Sequence, residues 1–145
     1  MHDGNVINNE ELLRIAVQSG SQMGERDPKM MTAFAWIRCL LNGSSPLKQL
    51  RTKGINEIIV YGIAELGNLL IYEALKERYK IIGVTDKKII VGQYDFEGIP
   101  ILSRQDLCAY KDKCIVVTAV GFWREIYREL EHIGCSNVIA LWELL

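Results

Sequence analysis

Apolar residues fall either in short continuous runs or at helical spacing along most of the chain, and this alternation predicts an α/β fold. Four continuous runs predict buried strands, at residues 58–61, 79–85, 114–120 and 137–140. Amphipathic helices are predicted over 64–78 and 122–133. Ser103 with Asp106 predicts a capping box at the start of a short helix over 104–110. A further short run at 99–102 contains Pro100, which predicts an edge strand or an extended lead-in to the next helix. With right-handed crossovers, this order predicts a Rossmann-like parallel sheet with strand order 3-2-1-4-5, flanked by helices.

Helical patterns precede the first strand. Leu12, Leu13, Ala16 and Val17 recur at helical spacing, which predicts a helix between residues 9 and 20. Asp27-Pro28 predicts the start of a second helix that ends near Asn42, and a short third helix is predicted over 47–53. Residues 1–54 are therefore interpreted as an N-terminal helical extension and 55–145 as the Rossmann-like domain. The extension either caps the sheet or forms an arm that makes a homodimer or binds a partner chain.

The segment Gly62-Ile63-Ala64-Glu65-Leu66-Gly67 follows the first predicted strand and opens a helix, as in dinucleotide-binding folds. Gly62 permits a tight turn, Ala64 replaces the usual second glycine, and Gly67 allows the helix to pack closely on the strand. The free N–H groups at the helix start, together with the helix dipole, favour a bound anion. This segment therefore predicts a nucleotide phosphate site.

Residues after the other strands complete the predicted pocket. Asp86 lies 24 residues beyond Gly62, close to the position of a carboxylate that binds a ribose hydroxyl. The alternative is that Asp86 caps the turn that follows the strand. Lys87 and Lys88 either neutralise a phosphate or lie on the solvated surface. The far wall is predicted to be Thr118, Ala119, Val120, Gly121 and Phe122. Phe122 or Trp123 is placed to stack on a ring, although Trp123 also begins the apolar stripe of its helix.

Composition narrows the function classes. A net charge of −1 over 145 residues provides no basic field for nucleic acid. The sequence contains no apolar stretch long enough for a membrane span and no signal-peptide pattern near Met1, so a cytoplasmic protein is expected. The four cysteines form no C-x-x-C pair, and neither a metal site nor a disulfide framework is predicted.

Residues 58–145 resemble the N-terminal nucleotide-binding domains of bacterial sugar O- and N-acyltransferases and of related polysaccharide and nucleotide-sugar biosynthesis proteins. The similar motifs are residues 60–67, 82–86, 98–102 and 138–141. The resemblance implies a module of cell-surface sugar or polysaccharide metabolism that binds NAD(P) or a nucleotide-diphosphate sugar. The residues implied in binding are Gly62, Ala64, Glu65, Leu66, Gly67 and Asp86. The transferases carry their catalytic histidine in a following β-helix, so acyl transfer by these 145 residues alone is not expected.

Three functions stay open on the sequence. The first is a nucleotide-binding module, and the second is a small NAD(P)-dependent oxidoreductase or an enzyme subunit. The third is an interaction protein without a ligand that dimerises through its N-terminal helices. Glu65 and Asp86 are the only carboxylates in the predicted pocket and have no evident catalytic partner, so no reaction is predicted.

Overall fold

A parallel sheet of four strands forms the centre of the part of the chain that the computed structural model describes, residues 27–87 and 98–145. The strands are β1 (Glu57–Tyr61), β2 (Lys80–Thr85), β3 (Ile115–Val117) and β4 (Val138–Ala140). Their spatial order is β2-β1-β3-β4, and each neighbouring pair is parallel. The predicted α/β class and parallel sheet are confirmed.

The run at 99–102, predicted as an edge strand or an extended lead-in, forms only an isolated parallel bridge between Val84 and Ile101. The Val84 N–H donates to the Pro100 carbonyl oxygen (2.9 Å), and the Leu102 N–H donates to the Val84 carbonyl oxygen (2.8 Å). The segment therefore lies beside β2, where the predicted order placed it. Because Pro100 has no N–H, it cannot extend this pairing into a ladder, and the described sheet has four strands rather than five.

Helices surround this sheet, and most begin at the caps that the sequence predicted. The helices are α1 (Pro28–Leu41), α2 (Pro46–Thr52), α3 (Glu65–Glu77), α4 (Arg104–Leu107) and α5 (Trp123–Ile133). Three 3₁₀ turns, at Cys108–Tyr110, Val120–Phe122 and Leu141–Leu144, complete the elements. Asp27 caps α1 by accepting from the Lys29 N–H, and Ser103 and Asp106 form a reciprocal capping box on α4. Within residues 27–87 and 98–145, no helix is long and apolar enough to span a membrane.

The sheet separates two apolar cores, because alternate residues of β1 point to opposite faces. Ile58 and Val60 join a core with residues of α1, α2 and α3. Ile59 and Tyr61 join a second core with residues of α4 and α5. The described part of the chain is therefore a three-layer α/β/α arrangement.

The described part of the N-terminal extension packs on the sheet face beside α3. Leu47 and Leu50 of α2 are fully buried, and Trp36 of α1 is only 4% exposed. The Trp36 indole N–H donates to Glu73 Oε2 (3.2 Å), and burial raises the pKa of the Glu73 carboxyl. The helix predicted between residues 9 and 20 lies outside the described residues, and the domain boundary at residue 54 stays a prediction.

Replacing Leu50 with alanine tests whether α2 belongs to the core of the domain. We expect Leu50→Ala to lower the free energy of unfolding by about 2–5 kcal/mol, because it leaves a cavity among buried side chains. Leu40→Ala is the matched control, since Leu40 is 50% exposed and such a site changes stability by about 0.5 kcal/mol or less. Urea denaturation followed by circular dichroism measures both, and equal effects would contradict this packing.

Candidate functional site

A cavity of about 480 Å³ opens at the carboxyl ends of the strands. Its walls come from the segments that follow β1, β2 and β3, together with the start of α1. β1 and β3 are the central strands of the sheet, with β2 on the outer side of β1 and β4 on the outer side of β3. The strand order therefore reverses direction between β1 and β3, which makes this pair the switch point of the sheet. In open parallel sheets, ligands bind at this switch point.

The cavity brings together eleven of the thirteen residues predicted to bind a nucleotide. Those that line it are Gly62, Ala64, Leu66, Gly67, Asp86, Lys87, Thr118, Ala119, Val120, Gly121 and Phe122. The two exceptions are Ile63, which packs against the core, and Glu65, whose side chain is 84% exposed and lies 4.0 Å from the Lys29 ammonium. Lys88 lies outside the described residues. The binding role of this set stays a prediction.

Five further residues line the cavity and were not predicted, namely Asp27, Pro28, Lys29, Tyr61 and Ile126. The first three form the start of α1, which the sequence identified only as a helix cap. They reach the cavity because α1 lies against the turn Val120–Phe122, a contact between segments far apart in sequence. The local sequence around Asp27 does not predict that the start of α1 lies at the cavity.

The two glycines of the predicted motif are required by close contacts within the protein. Gly62 has a φ of +116°, and a Cβ there would lie 2.4 Å from Thr118 Oγ1. A Cβ on Gly67 would lie 1.8 Å from the Gly62 carbonyl oxygen. The same oxygen accepts a hydrogen bond from the Thr118 hydroxyl (2.9 Å). Packing of β1, α3 and the end of β3 therefore accounts for both glycines.

The N-terminus of α3 has no side-chain cap. Ala64 occupies the N-cap position and provides no oxygen for the first amides of this 13-residue helix. Ala64, Leu66 and Gly67 all line the cavity, so this end of the helix faces it. The uncapped amides and the positive end of the helix dipole fit a phosphate group or another anion.

Asp86 joins the end of β2 to the motif. Its Oδ2 accepts a hydrogen bond from the Ile63 N–H (2.9 Å), and the residue also lines the cavity. This bond fixes the turn between Gly62 and Ala64. The predicted ribose contact would use the same carboxylate, which has about four acceptor positions.

Tyr61 lines the cavity and carries a buried hydroxyl. The residue is 1% exposed, and its hydroxyl has no hydrogen-bond partner among the described residues. Burial, together with the neighbouring carboxylates of Glu129 and Asp86, raises the pKa of Tyr61 to about 12 against the opposing effect of Arg104. The phenol therefore keeps its proton at neutral pH. An unpaired buried hydroxyl costs free energy, which a ligand acceptor would recover.

Lys87 spans one edge of the cavity. Its ammonium forms an ion pair with Glu125 and lies 5.6 Å from the centroid of the Phe122 ring. These contacts join the segment after β2 to the start of α5. The predicted phosphate contact of Lys87 would therefore compete with an existing partner.

Comparison with known protein families identifies one match. Residues 54–139 match the family described as C2185-like, N-terminal, which is 86 of the 145 residues. The matched region runs from just before β1 into β4 and includes Gly62, Asp86 and Thr118. No curated protein matches the chain. This family match gives no evidence for a relation to the sugar acyltransferases.

Replacing Gly67 with alanine tests the close contact at the start of α3. We expect Gly67→Ala to lower the free energy of unfolding by about 1–3 kcal/mol, because the new methyl group meets backbone that must move. The higher helix propensity of alanine opposes this loss. Gly121→Ala is the control, since no described residue other than its chain neighbours has an atom within 4 Å of the position that its new Cβ would take. Chemical denaturation measures both, and an unchanged stability of Gly67→Ala would refute the contact.

Proposed function

The chain belongs to the family of C2185-like N-terminal domains, and we propose that it is a module that binds NAD(P) or a nucleotide-diphosphate sugar. The observation that carries the proposal is the uncapped N-terminus of α3, which faces a cavity of about 480 Å³ at the switch point of the sheet. Backbone amides at such a helix start bind phosphates. Small-molecule sites typically measure about 300–1,000 Å³, which includes this volume.

The proposed ligand lies along the carboxyl edge of the sheet. Its phosphates accept hydrogen bonds from the first amides of α3, and its ribose hydroxyls donate to the Asp86 carboxylate. The buried Tyr61 hydroxyl donates a further hydrogen bond to the ligand. The segment 118–122 forms the wall beside the second half of the molecule. This arrangement gives the uncapped amides of α3 and the Tyr61 hydroxyl a partner.

The proposed pathway is cell-surface sugar or polysaccharide metabolism. This part rests on the resemblance of residues 58–145 to the nucleotide-binding domains of sugar acyltransferases. In that setting, the module holds an activated sugar or a dinucleotide for a reaction or a regulatory step that another domain or chain completes. The cavity residues then determine which nucleotide is held.

Variants of Asp86 test this function. We expect NAD⁺, NADP⁺ or UDP-glucose at millimolar concentration to raise the melting temperature of the full chain, because a ligand that binds only the folded state stabilises it. Asp86→Ala should weaken that ligand by about 10-fold or more in calorimetry, since it removes hydrogen bonds to a charged acceptor. Asp86→Asn keeps an acceptor for the Ile63 N–H, so it separates the loop contact from the ribose contact.

Glu65→Ala is the matched control, because its carboxylate lies at the same helix start but does not line the cavity. This variant should bind as tightly as the natural chain. If none of the three ligands shifts the melting temperature, the proposal that the chain binds these nucleotides is wrong. An unchanged affinity of Asp86→Ala would reject the ribose contact alone.

The proposal includes a homodimer formed through α1. Met30, Phe34, Ile37 and Leu41 recur at spacings of four, three and four residues, which is the pattern of a coiled-coil seam. Thr32, Trp36 and Cys39, the buried residues of α1, lie on the opposite side of the helix. Ile37 and Leu41 are 42% and 57% exposed. A second α1 would cover this outward stripe.

Charged substitutions on the outward stripe test the dimer. We expect the full chain to sediment as a dimer at tens of micromolar, and the double variant Ile37→Glu, Leu41→Glu to sediment as a monomer. Leu69→Glu, at an exposed leucine on α3, is the control and should stay dimeric. A natural chain that sediments as a monomer would refute this interface.

A further inference from the structure

A second groove adjoins the nucleotide cavity at the turn Val120–Phe122. Its volume is about 400 Å³, and Val120, Gly121 and Phe122 line both spaces. The rest of its lining is Trp123, Arg124, Glu125 and Trp142. The two spaces therefore share one wall, the turn Val120–Phe122.

Three aromatic rings form the apolar part of the groove. Phe122 is 58% exposed and Trp142 is 40% exposed. The Trp123 ring lies between Trp142 and Tyr127, with 5.2 Å between ring centroids in both pairs, and the contact with Trp142 is edge-on. These contacts hold the rings in place before any ligand arrives. Such rings provide a rigid apolar surface at small cost in side-chain entropy.

Charged groups of both signs stand beside the rings. The Arg124 guanidinium only donates hydrogen bonds, and the Glu125 carboxylate only accepts them. A hexose has apolar C–H faces that cover an aromatic ring and hydroxyls that both donate and accept. The groove therefore offers a partner for each kind of surface on a sugar ring.

Gly121 lines both spaces and presents no side chain to either. Apart from its chain neighbours, no described residue has an atom within 4 Å of the position that a Cβ would take at Gly121, and its backbone is outside the left-handed region. Neither backbone conformation nor packing against the described residues therefore requires this glycine.

We propose that the groove binds the sugar of a nucleotide-diphosphate sugar whose diphosphate occupies the start of α3. This inference rests on the proposed function and chooses between its two classes of ligand. Phe122, Trp123 and Trp142 provide the surface for the sugar ring, and Arg124 and Glu125 bind its hydroxyls. Lys87, which is paired with Glu125, holds that carboxylate at the boundary of the two spaces.

Matched ligand pairs test the inference across three different nucleotide bases. Calorimetry compares UDP with UDP-glucose, ADP with ADP-glucose and GDP with GDP-mannose on the full chain. We expect the sugar to tighten one of these pairs by about 3- to 10-fold, the effect of one aromatic contact. In Trp142→Ala, the two members of that pair should bind equally, while the nucleoside diphosphate keeps its affinity within about twofold, because Trp142 lines the groove and not the nucleotide cavity.

Two controls separate the sugar contact from general damage. Tyr72→Ala removes an aromatic ring that is 71% exposed on α3, and it should keep the preference for the sugar. Trp142→Phe keeps part of the ring surface and should keep part of the preference. Melting temperatures of all variants without ligand identify any that fail to fold. Quenching of tryptophan fluorescence by the nucleotide sugar, reduced in Trp142→Phe, gives a second readout.

The outcomes distinguish this inference from the proposed function. If no nucleoside diphosphate or dinucleotide binds, the proposed function fails, and the sugar site fails with it. If a nucleoside diphosphate binds but its sugar adds no affinity, or Trp142→Ala keeps the preference, the sugar site alone is overturned. Tighter binding of NAD⁺ than of ADP that depends on Trp142 would also overturn it, because the occupant would then be nicotinamide.

Discussion

The contact between the Gly62 carbonyl oxygen and Gly67 determines the geometry of the site. The space that a Cβ on Gly67 would need is already occupied by this oxygen, which also accepts from the Thr118 hydroxyl. β1 and α3 therefore meet with no intervening side chain, and the Thr118 hydroxyl joins this contact to the end of β3. The close contact between Gly62 and Gly67 directs the first amides of α3 toward the carboxyl edge of the sheet. The same contact therefore packs α3 on β1 and shapes the cavity.

Packing and ligand binding are two explanations for the same glycines, and here the contacts within the protein are sufficient. Evidence for a ligand must therefore come from groups that the protein leaves unsatisfied. The start of α3 has no side-chain cap, and the Tyr61 hydroxyl has no partner among the described residues. Buried polar groups are usually paired. Unpaired polar groups in residues that line a cavity are therefore stronger evidence for a ligand than the glycine pattern.

The features that the sequence predicted correctly depend on neighbouring residues. The caps at Asp27 and Ser103 are local, and the apolar runs identified the strands of the sheet because parallel strands are buried on both faces. Contacts between distant segments were not predictable in this way. The hydrogen bond from the Ile63 N–H to Asp86 and the position of Lys29 at the cavity both depend on how separate elements pack. The spacing of apolar residues along the chain does not predict such contacts.

The balance of charge around the cavity limits which anions it can favour. Asp27 and Asp86 bring carboxylates to the walls, and the ammonium groups of Lys29 and Lys87 lie near Glu65 and Glu125. Attraction for a phosphate therefore depends mainly on the oriented amides of α3. A bare phosphate would also face the two carboxylates. A nucleotide differs because its ribose hydroxyls donate to a carboxylate while its phosphates accept from amides, and it satisfies both kinds of group together.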